Sequence, residues 1–309
     1  MTCIVDEKVE GKIERLPAWF RQDLPDKEKI EEMRTFFRRS SLHTVCEDAL
    51  CPNMGKCWSQ RTATFMILGG ICTRACRFCA VKTGRAPAVD SGEPHQVALA
   101  VKGMNLRYVV ITSVTRDDLV DGGAEQFART IEEMRCLIPG TKIEVLIPDF
   151  ADNIESLQKV VKAGPDVISH NIETVRRLSP EVRPQAGYDR SLSVLQNLRR
   201  LNSAVCSAND GDRPVFIKSG FMVGLGETEK EIVELMKDLA FAGCDMLTIG
   251  QYLAPTRGRR HWRVRRFVAP EEFESYKSLG IKLGFNYVMS APLVRSSYIA
   301  EEGYKACLK

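Results

Sequence analysis

The sequence holds no run of about 18 apolar residues, so it contains nothing that would cross a bilayer as a helix. The segment from Met1 to Asp26 mixes charges and has no apolar stretch, so neither a secretory signal nor an oxidising compartment is expected. Positive charge is not in excess: a net charge of +4 is too small to point to nucleic acid. Aromatic residues make up only 7% of the chain, and there is no repeat at a solenoid period and no low-complexity stretch. Disordered, collagen-like and coiled-coil architectures are therefore not expected. At 309 residues the chain can bury a core without disulfide staples, and an α/β barrel takes about this length as one domain.

What the sequence does have is 11 cysteines, unevenly placed. Cys46, Cys51, Cys57, Cys72, Cys76 and Cys79 lie within 34 consecutive residues, where an even spread would put about one. Cys3, Cys136, Cys206, Cys244 and Cys307 stand alone, and they are assigned to packing or surface. An odd count in such a chain points to metal or catalysis, not to a disulfide framework.

Residues 1 to about 58 read as an irregular, charged leader with one good helix, Lys27–Arg38. From Thr64 a rhythm sets in. Strands are expected at Thr64–Leu68, Tyr108–Thr112, Lys142–Ile147, Val167–Ser169, Val215–Met222 and Met246–Gly250. The helices that follow them are Pro94–Lys102, Ala124–Leu137, Ile154–Ala163, Ser191–Leu201, Lys230–Ala242 and Glu271–Leu283. Six strand–helix units make a parallel sheet and fall short of a closed eight-unit barrel. The expected fold is α/β, a partial (β/α)6 TIM-like barrel open on one side, with a flat doubly wound sheet as the alternative. Residues 1–60 would precede the barrel, 61–284 would form it, and 285–309 would be a tail.

In such folds the site lies at the C-terminal ends of the strands. Thr112, Ser113, Asp149, His170, Asn171, Glu173, Gly224, Gly226 and Gln251 fall at or just past those ends, and Lys218 and Ser219 sit within the fifth strand. The first strand leads into Cys72-Thr73-Arg74-Ala75-Cys76-Arg77-Phe78-Cys79. This spacing differs from paired zinc motifs and from the ferredoxin run. Three thiolates can hold three irons of a 4Fe-4S cluster and leave the fourth open, as catalytic zinc keeps a free position.

The motif, with Phe78 before its last cysteine, resembles the radical S-adenosylmethionine superfamily. The resemblance implies that the open iron chelates the methionine moiety, and that one-electron reduction yields a 5′-deoxyadenosyl radical that abstracts hydrogen. The second triad, Cys46, Cys51 and Cys57, is again one ligand short, and alone it could be a zinc knuckle. Beside the first triad, with His43-Thr44-Val45 before it and Trp58 after, it is similar to the lipoyl synthase family. Val294-Arg295-Ser296-Ser297-Tyr298 matches that family's closing motif, which implies Ser297 as the fourth ligand of a second 4Fe-4S cluster. A serine oxygen is a hard ligand mismatched to soft iron, which suits a cluster dismantled as a sulfur donor.

The resemblance runs from about Leu42 to Tyr298. It implies contacts of Thr112 and Ser113 with the methionine amino group, and of Asn171 and Glu173 with the ribose. It also implies backbone approach to the adenosyl group at Gly224 and Gly226, where a plain tight turn is an equal alternative. Four positions depart from the family pattern: Gly69-Gly70, Ala291-Pro292, Thr115 and a polar insert around Ala208–Asp212. Between Arg257 and Arg266 lie six arginines and His261 with no acid, either a solvated loop or a dock for an acidic carrier. Trp262 within it would also fit RNA stacking, on thin grounds. The runs Lys8–Glu14 and Asp26–Arg34 read as solvated surface.

The implied activity is insertion of two sulfurs, at carbons 6 and 8 of a protein-bound octanoyl chain, using two S-adenosylmethionines per lipoyl group. The implied partners are octanoylated lipoyl domains of 2-oxoacid dehydrogenase acyltransferases, the glycine-cleavage H protein, and a reductant such as ferredoxin or flavodoxin. Alternatives are a methylthiotransferase acting on tRNA or a ribosomal protein, and a two-cluster electron carrier. The expected location is the cytoplasm, with an organellar matrix or stroma left open.

Overall fold

The computed structural model describes residues 16–208 and 215–308; the run Lys8–Glu14 and most of the polar insert after Ala208 lie outside them. The segment before the barrel is not irregular. Helix α1 (Lys27–Arg39) starts where the Asp26 carboxylate accepts the N–H groups of Glu28 and Lys29, and it buries Met33 and Phe37. Strand β1 (His43–Thr44) runs into the short helices α2 (Val45–Asp48) and α3 (Met54–Ser59), which carry the first three clustered cysteines or flank them. Phe37 stacks on Trp58 and meets Phe65 edge-on, so this segment is packed onto the first barrel strand.

The barrel begins with β2 (Thr64–Ile67), followed by the two-residue strands β3 (Ile71–Cys72) and β4 (Lys82–Thr83) and helix α4 (Glu93–Gly103). Then come β5 (Tyr108–Ser113), α5 (Ala124–Leu137), β6 (Lys142–Leu146), α6 (Ile154–Lys162), β7 (Val167–Ser169), α7 (Ser179–Val182) and α8 (Tyr188–Ala208). The chain closes with β8 (Phe216–Val223), α9 (Glu229–Phe241), β9 (Met246–Gln251), α10 (Pro270–Lys282), β10 (Tyr287–Ala291) and α11 (Ala300–Cys307). Caps mark several helix starts: Asn153 accepts from Ser156 before α6, and Thr228 and Glu231 form a reciprocal capping box before α9.

The main sheet has the order β1-β2-β5-β6-β7-β8-β9-β10. Every pairing from β2 to β10 is parallel; β1 adds an antiparallel edge, with His43 opposite Met66. Strands such as β2 and β9 are buried along their whole length, as parallel strands covered by helices must be. Thr64, Thr112, Leu146, Gly220 and Thr248, from both ends of the strand order, line one cavity, so the sheet curls around it as a partial barrel. The expectation of six parallel strands is corrected here. A seventh, β10, lies in the stretch read as a tail and pairs with β9 from Tyr287 opposite Met246 to Ala291 opposite Gly250.

Candidate functional site

After β2 the chain turns through Leu68 and Gly69, both at positive φ, and the N–H of Leu68 donates to the Glu93 carboxylate at 2.8 Å. The cysteine loop is then bracketed by the β3–β4 pairing, Ile71 opposite Lys82 and Cys72 opposite Thr83. Arg74 pins the middle of the loop. It is buried, and its guanidinium bonds both oxygens of Asp149 at 2.7 and 2.8 Å and both of Asp117 at the same distances. Burial pushes the Asp149 carboxyl up, but the Arg74 bonds and charge outweigh it and hold the group at about 2. The sulfur of Cys72 accepts the N–H groups of Arg74 and Thr115 at 3.4 and 3.3 Å. Thr115 thus acts through its backbone, which explains how that position tolerates a neutral side chain. A Cβ at Gly70 would fall 2.7 Å from the His43 ring, so the room left by that glycine is filled by the imidazole.

Cys72, Cys76 and Cys79 line a cavity of about 220 Å³ together with Thr112, Ser113, Asn171 and Glu173. Three polar atoms around it are buried without a protein partner: Ser113 Oγ, Asn171 Oδ1 and Arg183 Nε. Buried polar groups are nearly always paired, so such a convergence marks a place for a polar ligand. Thr112 Oγ1 donates to the Leu146 carbonyl at 2.8 Å and keeps its lone pairs for a donor. Glu173 sits at φ +66, a conformation that a non-glycine residue holds only when its surroundings impose it. The cross-links Glu173 N–H to Gly220 and Met222 N–H to Glu173, at 3.0 and 2.9 Å, impose it here. Burial pushes the Glu173 carboxyl up, against the charge of Arg183.

Gly224 and Gly226 line neither of the cavities at the cysteines. Their N–H groups, with that of Leu225, donate to the carboxylate of Glu227 at 2.5, 3.0 and 2.9 Å, so they build a tight turn. Arg183 is the residue that sequence reasoning missed. It lies in a polar run that reads as surface, yet it is buried and its Nη1 donates to the Ile172 carbonyl at 2.8 Å.

The second triad is built between the N-terminal helices and the tail. Cys46 is buried, Cys51 and Cys57 are half-buried, and the charge of Cys51 is felt at both Cys46 and Cys57. Burial pushes Cys46 up to about 12 and Cys57 to about 11, against thiolate formation unless cations compensate. The indole N–H of Trp58 is buried beside Cys46 and points toward its sulfur, where it favours the thiolate. Cys46, Cys51 and Ser297 line a larger cavity of about 670 Å³, while Cys57 stands behind it on α3. Thr64 Oγ1 donates to Ser297 Oγ at 2.7 Å, Asn53 Nδ2 to the Leu293 carbonyl at 2.7 Å, and Lys56 Nζ to the Tyr298 hydroxyl at 3.0 Å. A Cβ at Gly250 would meet the Val294 carbonyl at 2.1 Å, so glycine lets the tail lie directly on β9.

Cys79, Asn171 and Glu173 line both cavities, so the space at the first triad adjoins the space at Cys46, Cys51 and Ser297. Among the described residues no three of His, Cys, Asp and Glu converge as around a single ion. A four-iron cluster asks for a wider triangle, because each thiolate binds its own iron. Free thiols at both triads, backbone N–H groups aimed at the Cys72 sulfur and the Trp58 indole beside Cys46 fit such clusters.

The arginine-rich loop is pinned over the first triad. His261 Nε2 lies 3.1 Å from the Cys79 carbonyl, Trp262 N–H donates to Arg77 at 2.7 Å, and Arg260 donates to the Val81 carbonyl at 3.1 Å. Trp262 is buried between Arg77 and Arg265, which removes it as a platform for RNA. Of the isolated cysteines, Cys244 is buried, Cys307 half-buried and Cys136 exposed, in keeping with packing and surface roles.

The sequence pattern of the Radical SAM superfamily matches residues 66–239. The chain is similar to lipoyl synthase of Caldicellulosiruptor saccharolyticus, 52% identical over 289 residues, covering 94% of this chain and 97% of that one. It is also similar to lipoyl synthase of Rubrobacter xylanophilus, 54% identical over 286 residues, covering 93% and 85%. In fold it is similar to HydG, the FeFe-hydrogenase maturase of Carboxydothermus hydrogenoformans, at a TM-score of 0.54 with 12% identity over 91% of this chain and 78% of that one. The chain belongs to the lipoyl synthase family of the Radical SAM superfamily.

Proposed function

We propose that this protein inserts two sulfur atoms, at carbons 6 and 8 of an octanoyl chain carried on a protein lysine. The observation that carries the reading is that Cys72, Cys76 and Cys79 line one cavity, Cys46, Cys51 and Ser297 line a second, and the two share Cys79, Asn171 and Glu173 in their walls. S-adenosylmethionine and iron–sulfur chemistry belong to the family; two clusters, one per triad, are this chain's proposed complement. When bound, the first cluster with S-adenosylmethionine supplies hydrogen abstraction, and the second supplies sulfur.

Cys72, Cys76 and Cys79 would hold the first cluster. Thr112 and Ser113 offer oxygen acceptors to the methionine ammonium, and the free Nε–H of Arg183 faces its carboxylate. Asn171 Oδ1 and the Glu173 carboxylate would accept from the ribose hydroxyls. Cys46, Cys51, Cys57 and Ser297 would hold the second cluster. Gly224 and Gly226 are left out of this set, since their N–H groups are spent on Glu227.

The larger cavity suits an acyl chain. Leu50, Met222, Leu253, Val264 and Phe267 give it an apolar wall between Cys79 and Cys51. The residues up to 60 and from 285 onward are proposed as the cluster-holding flanks of the barrel, the latter also contributing β10. Arg257, Arg259 and Arg263 are exposed and have no ion-pair partner among the described residues. They are proposed to meet an acidic carrier protein, such as an octanoylated lipoyl domain or H protein, and so to raise encounter rate. No described helix is long and apolar enough to cross a membrane.

The test is direct. The anaerobically reconstituted chain, given S-adenosylmethionine, a one-electron reductant and an octanoylated carrier, should yield lipoyl carrier with about two 5′-deoxyadenosines per lipoyl group. Cleavage of S-adenosylmethionine without sulfur insertion would contradict the reading, and no cleavage at all would favour an electron carrier.

A further inference from the structure

The tail that carries Ser297 is tethered from inside the barrel as well as from the N-terminal helices. Lys218 on β8 is 3% exposed and Glu144 on β6 is 0% exposed, and their ammonium and carboxylate pair at 2.7 Å. The second Glu144 oxygen accepts the Tyr108 hydroxyl at 2.6 Å. The ammonium also donates to the backbone carbonyl of Ser296 at 2.6 Å. On the other side of the same residue, Asn171 Nδ2 donates to Ser296 Oγ at 2.5 Å and to Glu173 at 3.1 Å. The residue immediately before Ser297 is therefore held at both its carbonyl and its hydroxyl by side chains of the barrel strands and their ends.

A buried ion pair of this kind adds little net stability over apolar residues of similar volume. What it supplies is geometry: with one ammonium proton committed to the buried Glu144 carboxylate, a second is directed at the Ser296 carbonyl. Asn171 adds a link, because the residue lines both cavities and its Oδ1 has no protein partner, while its Nδ2 holds Ser296.

We propose that Lys218, set by Glu144, is a positioning residue that presents Ser297 to the second cluster, and that Asn171 ties this placement to the S-adenosylmethionine pocket. The proposal rests on Ser297 being the fourth ligand. Neither Lys218 nor Glu144 touches the cofactors; they act through the Ser296 backbone. Ligand binding at Asn171 Oδ1 would fix the amide and so restrain Ser296 and its neighbour.

The test compares the full reconstituted chain with a Lys218→Met/Glu144→Leu double variant, which replaces the ion pair by apolar groups and leaves no orphaned charge. The readouts are the Mössbauer signature of an oxygen-ligated iron and the rate of iron release to a chelator. Both are read with Cys72, Cys76 and Cys79 changed to alanine, so that the open iron of the first cluster does not contribute. S-adenosylmethionine cleavage, with those cysteines intact, is the control on the first cluster. The double variant should keep cleavage within about two-fold, lose the oxygen-ligated signature and release one iron about ten-fold faster. Ser296→Ala, which only removes the Asn171 bond, should move iron release in the same direction by about three-fold, and it carries the test if the double variant does not fold. In the wild-type chain, S-adenosylhomocysteine should slow hydrogen exchange of the amides in 293–298, and Ser296→Ala should abolish that protection. An unchanged oxygen-ligated signature in the double variant, or unchanged iron release in Ser296→Ala, would overturn the positioning role alone. If the wild-type chain itself shows no oxygen-ligated iron, serine ligation fails first, and the positioning role falls with it.

Discussion

Thr64 and Ser297, 233 residues apart, share a hydrogen bond of 2.7 Å in which the threonine hydroxyl donates to the serine oxygen. The first barrel strand thereby meets the tail beside the second cysteine triad. Donation from Thr64 leaves the serine proton free to depart if the oxygen takes up iron. Thr64→Val removes the donor at constant shape and should weaken the docking of Ser297 by about 1 kcal/mol. Lipoyl product per 5′-deoxyadenosine should fall several-fold while cleavage of S-adenosylmethionine is retained, as chromatography of both products would report.

Arg183 gives a prediction about binding. Its Nε is buried and unpaired and the residue lines the smaller cavity, where a carboxylate would complete a charge-assisted bond. Arg183→Met should weaken S-adenosylhomocysteine binding by about 10- to 100-fold, the factor expected from about 1.5–3 kcal/mol. Calorimetry on the reconstituted chain checks this independently of turnover.

Arg74 gives a prediction about stability. Its partner Asp149 has a fully buried side chain, so Arg74→Met leaves that carboxylate with only Arg190 at 3.4 Å and the Ala151 N–H at 3.0 Å. The loss should be about 3–5 kcal/mol, a fall in melting temperature of roughly 5–15 °C. A further signature is acid sensitivity. Asp149 is held at about 2, below its ordinary 3.8. Its share of stability is therefore full above pH 3.8 and lost as pH falls through about 2. Asp149→Asn should remove that part of the acid unfolding curve.

His170 acts at higher pH. It is buried, with Nδ1 at 3.0 Å from the Ile147 carbonyl and Nε2 at 3.0 Å from Ser191 Oγ. Burial first, and then the charge of Arg183, lower it from 6.5 to about 4. Between those values the unfolded chain binds a proton that the folded chain refuses, so stability falls as pH drops through that window. His170→Gln should flatten the slope of unfolding free energy against pH between 6.5 and 4 by up to one proton's worth.

Much of this was legible in the sequence because periodicity and caps act locally. Helix α5 has the expected bounds, and α9 starts at a threonine–glutamate capping box visible in the chain. Strand β10 was hidden because its five residues alternate between partial and full burial and follow a helix that already completes the six expected units. Strands β3 and β4 are two residues each and exist only because the cysteine loop closes between them. Among site residues, cysteine spacing marked both triads, since three thiols at short intervals have few other uses. Arg183 carried no such signal: a cation in a polar run reads as solvated until tertiary packing encloses it. Gly224 and Gly226 carried an ambiguous signal, because a glycine pattern cannot tell backbone opened to a ligand from backbone closed on Glu227.

The central claim is that each triad holds its own cluster and that the two divide the labour. The most direct measurement is iron and sulfide content, with S-adenosylmethionine cleavage, for the reconstituted chain and for two triple variants. The account predicts about eight irons in the wild-type chain and about four in each triple variant. Cleavage should survive when Cys46, Cys51 and Cys57 are changed to alanine, and vanish when Cys72, Cys76 and Cys79 are. About four irons in the wild-type chain, or cleavage that follows the first three cysteines, would contradict it.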